Sequence, residues 1–119
     1  MSDSLYRDTI LDHYHFPRNY GTLVDFDVEG KTSNPMCGDE ISLRVKFRKN
    51  LIKNIRFEHR GCVISRAAAS LLSEYAKGKS REEIKILKIS DAVSLLGIVL
   101  TPARLSCAAL ALEAVKKLV

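Results

Sequence analysis

The sequence has few cysteines, no long apolar run and no recognisable leader, and each of these absences excludes a class of protein. Only three of its 119 residues are cysteine, an odd count that disfavours a disulfide framework and leaves core packing, metal binding or catalysis. The apolar stretch 84–100 is interrupted by Lys85, Lys88 and Asp91, so we expect no membrane span. The polar opening Met1–Ser4 lacks a signal-peptide pattern, and we therefore expect a cytoplasmic protein.

The positive charge is not concentrated in one block either. The net charge is +5, but the 19 lysines and arginines are scattered, and neither a recognition helix nor an aromatic-rich RNA motif accompanies them. We therefore expect no nucleic-acid partner, whereas a basic surface can attract an acidic protein. A length of 119 residues, with 46% hydrophobic and 28% charged side chains, predicts one folded domain over residues 1–119.

Alternating apolar residues predict a small antiparallel sheet. The clearest strand covers 40–48, and a second one, 51–58, follows a turn at Lys49 and Asn50. A looser alternation over 23–29 predicts the first strand. A sheet with one buried face needs helices to cover it, so the pattern predicts an α+β fold.

Helical spacing and capping signals predict the helices. We expect helices over 4–14 and about 64–76, the second with Ser65 as its candidate N-cap, a short one opened by a capping box at Ser80, and another over 90–97. Thr101 and Pro102 open the last helix. Its apolar stripe, with Cys107 at the edge, consists of Leu105, Ala108, Leu112, Val115 and Val119.

The three cysteines stand where chemistry is more common than core packing. Cys37 is in the turn Asn34–Asp39, Cys62 is at a strand-to-helix junction, and Cys107 is at the start of a helix. Helix starts favour the thiolate form that binds metal. Three thiolates and the carboxylate of Asp39 make a four-ligand set, and soft sulfur donors suit zinc or iron–sulfur clusters.

The spacing of the cysteines does not settle their role. The gaps are 62 − 37 = 25 and 107 − 62 = 45 residues, and no CxxC pair is present. A shared metal site and unrelated structural thiols therefore both stay open. A cysteine–histidine hydrolase is a third interpretation, but only His59 is close in sequence to a thiol, and we expect it to be a surface residue at a strand end. For His13 and His15 we expect surface or packing roles.

Three ordered motifs resemble those of a known family. Asn34–Asp39, Gly61–Ser65 followed by Ala69 and Ser70, and Arg104–Cys107 are similar to the cysteine motifs of iron–sulfur cluster scaffold proteins of the IscU/SufU/NifU N-terminal type. The opening Leu5–Asn19 also resembles that family's first helix, so the resemblance covers essentially the whole chain. It implies a three-stranded antiparallel sheet with helices packed on it, the SufE/NifU-like fold.

The resemblance also implies a site and its partners. Cys37, Cys62 and Cys107 would cluster beside Asp39 and hold a transient [2Fe–2S] cluster, or Zn²⁺ when no cluster is present. Sulfur would arrive as a persulfide from a cysteine desulfurase, with Cys37 or Cys107 as its first acceptor. The finished cluster would pass to iron–sulfur acceptor proteins. A homodimer that supplies a ligand from a second subunit is an open option.

The chain departs from the family pattern at four places. Ser106 replaces the histidine that IscU-type members carry, which makes Asp39 the better candidate for a fourth ligand. Arg104 is SufU-like and either pairs with the thiolates from beside the ligands or forms a surface salt bridge, and the SufU-type insertion between the second and third cysteines is absent. His59 replaces a glycine before the second cysteine; we expect it beside the ligands, as a ligand or proton donor, or merely tolerated at the strand end. The segment 100–104 differs from the one that a specialised Hsp70 chaperone reads.

Three functions follow as hypotheses. The first is a scaffold, not an enzyme, for assembly and transfer of a [2Fe–2S] cluster. The second is a zinc-dependent sulfur-transfer partner of a cysteine desulfurase, motivated by Arg104 and the missing histidine. The third is a structural zinc module that serves as an interaction domain.

Overall fold

The computed structural model describes residues 3–35 and 38–119. In this part of the chain three strands and five helices follow one another as α1 (Asp3–His15), β1 (Val28–Asn34), β2 (Asp39–Arg48), β3 (Leu51–Arg60), α2 (Val63–Ala76), α3 (Arg81–Lys85), α4 (Ile89–Leu96) and α5 (Pro102–Lys116). The predicted α+β fold with a three-stranded antiparallel sheet is confirmed. None of the helices in this part of the chain has the length and apolar character needed to cross a bilayer.

The sheet has the order β1-β2-β3, and its register decides which residues meet at one end. Asn34 pairs with Asp39 across β1 and β2, and Glu40 pairs with Arg60 across β2 and β3. The first residues of β2 and the last residues of β3 therefore lie side by side. Since α2 begins three residues after Arg60, its N-terminus lies at the same end of the sheet.

The core lies between one face of the sheet and the helices α2 and α5. Alternate residues of β2 and β3 point inward, as the period of two requires, and they are almost fully buried: Ile41, Leu43, Val45, Ile55 and Phe57. From α2 the small residues 67–69 are buried, and from α5 the run 107–112. Alanine brings helix backbones close, because it adds little volume between them, and α2 and α5 pack against each other.

The predicted first strand, 23–29, is wrong in its position. The strand begins at Val28 and runs to Asn34, and Val24 is 92% exposed instead of facing the core. The preceding segment is held by single contacts, such as the Asp27 N–H that donates to the Val45 carbonyl at 2.9 Å. The polar strand β1 forms because β2 supplies its hydrogen bonds, so pairing overrides its weak intrinsic preference.

Two helix predictions also need correction. Cys62, not Ser65, is the N-cap of α2, and Ser65 is a buried residue of its first turn. Cys107 is the sixth residue of α5, in the second turn, and not at its start. Leu105 is 36% exposed, so the buried stripe of α5 begins one turn later than predicted. The capping box at Ser80 and the turn at Lys49, which has a φ of 59°, are confirmed.

Candidate metal centre

Three predicted site residues from three different elements meet at the end of the sheet. Asp39 is the first residue of β2, Cys62 precedes α2, and Cys107 lies in α5. One carboxylate oxygen and the two Sγ atoms lie within 4.8 Å of one another. The structure therefore brings together three of the four predicted ligands.

The fourth predicted ligand, Cys37, lies outside the described residues, and its place in the site stays a prediction. The residues beside it form a tight turn. Gly38 has a φ of 74°, and its N–H donates to the Asn34 carbonyl at 2.8 Å. The register joins Asn34 and Asp39 directly, so the turn between them is anchored at the end of the sheet where Asp39 lies.

Asp39 is buried and bonded to Cys62 through both of its oxygens. The carboxylate is only 2% exposed. Its Oδ1 accepts the Cys62 backbone N–H at 3.0 Å, and its Oδ2 accepts the Cys62 thiol at 3.3 Å. A buried carboxylate is costly unless it is hydrogen-bonded, so these contacts both stabilise Asp39 and fix its distance from the sulfur.

This close approach depends on Gly61. A Cβ atom on Gly61 would lie 2.1 Å from the Asp39 Oδ1, far inside van der Waals contact. The φ of Gly61 is +148°, a conformation that residues with a side chain rarely adopt. Position 61 therefore requires glycine for two reasons. One is the positive φ, and the other is that a side chain would clash with the Asp39 carboxylate of the site.

Cys62 caps α2 with its sulfur. Its Sγ accepts the Ser65 backbone N–H at 3.4 Å, in the position where a serine or aspartate oxygen usually accepts. The thiol is half-buried and lines an open groove of about 600 Å³, which also includes Tyr14, Val99 and Arg104. Val99 is 97% exposed, so this groove is open and partly apolar.

Cys107 and its neighbours on α5 differ sharply in exposure. Cys107 is 4% exposed, whereas Arg104 and Ser106 are on the surface. Arg104, predicted near the thiols, is in the same groove as Cys62. Ser106 is adjacent to Cys107 but exposed, whereas the buried Cys107 sulfur belongs to the group of converging ligand atoms found among the described residues.

The prediction that His59 is a surface residue is wrong. His59 is 7% exposed and belongs to a hydrogen-bonded chain under the site. Its Nε2 is 2.5 Å from the Ser65 hydroxyl, and its Nδ1 accepts the Arg66 Nε–H at 3.3 Å. Burial, together with the Arg66 guanidinium, lowers the pKa of His59 to about 4, against the opposing charge of Asp39. His59 is therefore neutral at physiological pH.

Sequence reasoning missed Ser65 and Arg66 as neighbours of the site. Ser65 follows Cys62 by three residues, the spacing at which an N-cap side chain meets the backbone of the third helical residue. This spacing was a signal that could have placed Ser65 beside Cys62. Arg66 gave no such signal. Its guanidinium lies 5.3 Å from the Tyr14 ring centre and 5.5 Å from that of Tyr20, contacts that only the tertiary structure creates.

The donor set fits a tetrahedral zinc or iron centre. Metal–sulfur bonds of about 2.3 Å place neighbouring tetrahedral ligand atoms roughly 3.8 Å apart. The observed ligand atoms, all within 4.8 Å, need only small movements to reach that spacing. Thiolates and one carboxylate are ligands that zinc and iron accept, and the set leaves room for a further thiolate.

Comparison with known proteins connects this site to one family. Residues 5–119 match the family model described as the NifU-like N terminal domain. The zinc-dependent sulfurtransferase SufU of Bacillus subtilis is 35% identical, over 97% of this chain and 89% of its own length. The iron–sulfur cluster assembly scaffold protein IscU 1 of Archaeoglobus fulgidus is 37% identical, over 95% of this chain and 73% of its own.

A solved structure agrees with the fold. The crystal structure of a putative iron–sulfur cluster assembly scaffold protein for the SUF system from Fervidobacterium islandicum superposes with a TM-score of 0.80. It covers 98% of each chain at 21% sequence identity, and at that identity the match concerns the fold alone.

Gly61→Ala tests whether the glycine holds the ligand geometry. We expect the new methyl group to displace Asp39, and zinc affinity to fall by about 10- to 100-fold, the usual cost of disturbing a ligand's support. The matched control is Gly21→Ala, because Gly21 also has a positive φ, of 124°, but has open space around its Cβ position. Competition with a coloured chelator measures both affinities. Equal affinities in the two variants would contradict the steric role of Gly61.

The pKa of His59 predicts how stability depends on pH. The unfolded chain takes up a proton near pH 6.5, whereas folded His59 resists protonation down to about pH 4. Stability is therefore lost as the pH falls through this window, by up to about 3 kcal/mol from this group. Urea unfolding of the metal-free protein at several pH values measures the slope.

His59→Gln is the control for this slope, because glutamine keeps an N–H group but does not titrate. We expect the variant to lose less stability on acidification than the parent protein does. A smaller slope will remain, because burial also lowers the pKa of His13. Identical slopes in the variant and the parent would exclude His59 as a source of the acid sensitivity.

Proposed function

The chain belongs to the NifU-like N-terminal domain family, and from this membership we propose that it is a scaffold on which a [2Fe–2S] cluster is assembled and from which it is transferred. The observation that carries the proposal is the meeting of the Asp39 carboxylate with the sulfurs of Cys62 and Cys107, all within 4.8 Å. Cys37, two residues before Asp39 in the sequence, completes the proposed ligand set. The cluster is cargo in this function, so a site that binds it must also release it.

The mixed donor set suits that requirement. Thiolate sulfur binds iron strongly, whereas a carboxylate oxygen is a harder and more readily exchanged ligand. Asp39 therefore serves as the labile ligand, and its place is secured by the Cys62 N–H. His59, whose two ring nitrogens face Ser65 and Arg66, supports the site from below and is not a ligand in this proposal.

Sulfur reaches the scaffold as a persulfide on a cysteine desulfurase. An acceptor thiolate attacks the outer sulfur, the donor's sulfur–sulfur bond breaks, and the donor cysteine leaves as a thiolate, so the transfer involves no net oxidation. Cys37 and Cys107 are the candidate first acceptors. Cys107 is 4% exposed, so transfer to it requires local opening at this end of the fold. The groove beside Cys62 and Arg104 provides space for a partner's persulfide-bearing segment.

Cluster formation needs further partners. Persulfide sulfur must be reduced to sulfide, so assembly consumes iron and an external source of electrons. Iron–sulfur acceptor proteins then receive the cluster. We place the protein in the cytoplasm, and a second copy of the chain is the partner to test if the described ligands do not complete the site. In the cluster-free form, Zn²⁺ held by the same residues would neutralise the thiolates.

A second candidate function is zinc-dependent sulfur transfer. Its support is the 35% identity to a relative named a zinc-dependent sulfurtransferase, together with the position of Arg104 in the groove of Cys62. In this function the chain accepts persulfide sulfur and passes it on without building a cluster. Tight zinc in the purified protein, strong stimulation of desulfurase turnover and no cluster formation would favour it over the scaffold.

Anaerobic reconstitution tests the scaffold function. With iron, cysteine, a reductant and a cysteine desulfurase, we expect sulfur-to-iron charge-transfer absorption, which Cys37→Ser, Cys62→Ser and Cys107→Ser should each largely abolish. Ser106→Ala is the control, because Ser106 neighbours Cys107 but lies on the surface. A colourless parent protein would refute the scaffold function. Unfolding by a chelator, with no effect on any desulfurase, would instead indicate a structural zinc module.

Asp39→Ala tests the labile ligand. We expect a reconstituted cluster that is coordinated differently and transferred more slowly to an acceptor protein, because an exchangeable oxygen ligand has been removed. Glu40→Ala is the matched control, since Glu40 is the next residue of β2 and pairs with Lys31 outside the site. The rate at which the visible absorption passes to an apo-ferredoxin is measured for both variants. An unchanged transfer rate in Asp39→Ala would argue against this role.

A further inference from the structure

A chain of three side chains runs beneath Cys62 and ends on it. Arg66 contacts His59, His59 contacts Ser65, and Ser65 contacts Cys62. We propose that His59 and Arg66 are positioning residues that direct the Ser65 hydroxyl hydrogen to Cys62, and to its sulfur when that sulfur is a metal ligand. The inference rests on the proposed function, because it concerns the sulfur as a metal or cluster ligand.

Arg66 decides which nitrogen of His59 carries the proton. A guanidinium group has only donors, so the Arg66 Nε–H at 3.3 Å requires an unprotonated Nδ1. A second bond from Arg66, to the His59 carbonyl at 3.2 Å, holds the guanidinium in place. Neutral His59 must then carry its proton on Nε2. The low pKa of His59, a result of burial and of Arg66, agrees with a neutral ring.

The tautomer of His59 in turn decides where the Ser65 hydroxyl points. The Nε2–H donates to the Ser65 Oγ, so the hydroxyl cannot donate back to the histidine. Its single hydrogen is donated to the Cys62 carbonyl at 3.3 Å; the Cys62 sulfur, 3.5 Å away, is a second acceptor only when it has no hydrogen of its own to donate to the Ser65 Oγ. The opposite tautomer would accept the hydroxyl hydrogen and turn it away from Cys62.

The state of Cys62 selects between these two acceptors. While the thiol is protonated, its hydrogen is donated to the Asp39 Oδ2, and the hydroxyl is free to bond the carbonyl. That carbonyl also accepts the Arg66 N–H at 3.2 Å, so it keeps a partner if the hydroxyl rotates away. With a metal bound, the sulfur would accept both the N–H and the O–H of Ser65. Hydrogen bonds to ligand sulfur tune the properties of the bound metal.

The same helix contains a natural control for this arrangement. Ser70 of α2 is also buried, and its hydroxyl lies 2.7 Å from the Nδ1 of the buried His13. The same hydroxyl oxygen accepts the Arg18 backbone N–H at 2.9 Å, and neither of these two partners is a cysteine. Removing the Ser70 hydroxyl therefore disturbs a similar buried serine–histidine pair without touching the proposed ligands.

Cobalt(II) in place of zinc reports directly on the sulfur. We expect sulfur-to-cobalt charge-transfer bands in the parent protein, and a shift of these bands to lower energy in Ser65→Ala, because a sulfur that loses a hydrogen bond donates charge more easily. His59→Leu should shift them in the same direction. His59→Gln, which keeps an N–H toward Ser65, and Ser65→Thr, which keeps the hydroxyl, should restore the parent spectrum. Ser70→Ala should leave it unchanged.

Nitrogen NMR of the histidine rings tests the first half of the chain without any metal. We expect His59 of the metal-free protein to be neutral and protonated on Nε2 at pH 7, and Arg66→Met to lose this single tautomer. Protonation on Nδ1 in the parent would overturn the proposal. So would cobalt bands that do not respond to Ser65→Ala, or that respond to Ser65→Ala but not to His59→Leu.

Failure of the proposed function would look different. A parent protein that binds cobalt with no sulfur-to-cobalt band would refute thiolate coordination itself, and with it the role assigned to the Ser65 hydroxyl. Sulfur-to-cobalt bands that are present but do not change in Ser65→Ala or His59→Leu would refute only the positioning role of His59 and Arg66. The two failures are therefore distinguished by the parent spectrum alone.

Discussion

The hydrogen bond between the Asp39 carboxylate and the Cys62 N–H is the contact on which the site depends. It gives a hydrogen-bond partner to a carboxylate that is only 2% exposed, and it holds the start of α2 against the start of β2. Gly61 makes this approach sterically possible. Asp39, Gly61 and the Cys62 N–H at the start of α2 thus form one unit. Changing any of them disturbs the hydrogen bond between the Asp39 carboxylate and the Cys62 N–H.

The core explains why ligands so distant in sequence meet. Asp39 and Cys62 are brought together by the pairing of β2 with β3, whose register is fixed by inward residues such as Ile41 and Phe57. Cys107 is added by the packing of α5 on α2 through small residues. The meeting of these three candidate ligands is therefore a product of sheet register and helix packing.

Elements that depend on local sequence patterns could be predicted, whereas features that depend on contacts between distant residues could not. The strands β2 and β3 were predictable because inward and outward residues alternate along all of β2 and along β3 from Ile55 onward, and the third helix because its capping box is local. The strand β1 was misplaced because its partner, not its composition, makes it a strand. The burial of His59 depends on Ser65 and Arg66, whose side chains reach it only after α2 has packed. Cysteine is an uncommon N-cap, so the residue type at position 62 gave no capping signal, and only its three-residue spacing from Ser65 did.

In the proposed scaffold the two oxygens of Asp39 have different tasks: one holds the carboxylate in place, and the other is the exchangeable ligand. Oδ1 is committed to the Cys62 N–H, whereas Oδ2 faces the sulfur, on the side where a metal would bind. In the proposed scaffold Oδ2 is therefore the candidate ligand atom, and its exchange would leave the bond between Oδ1 and the Cys62 N–H in place. A histidine at this position would have one nitrogen for each task but no negative charge to balance the cluster iron. In the proposed scaffold, release of the cluster would thus depend on Oδ2, whereas the hydrogen bond to the start of α2 depends on Oδ1.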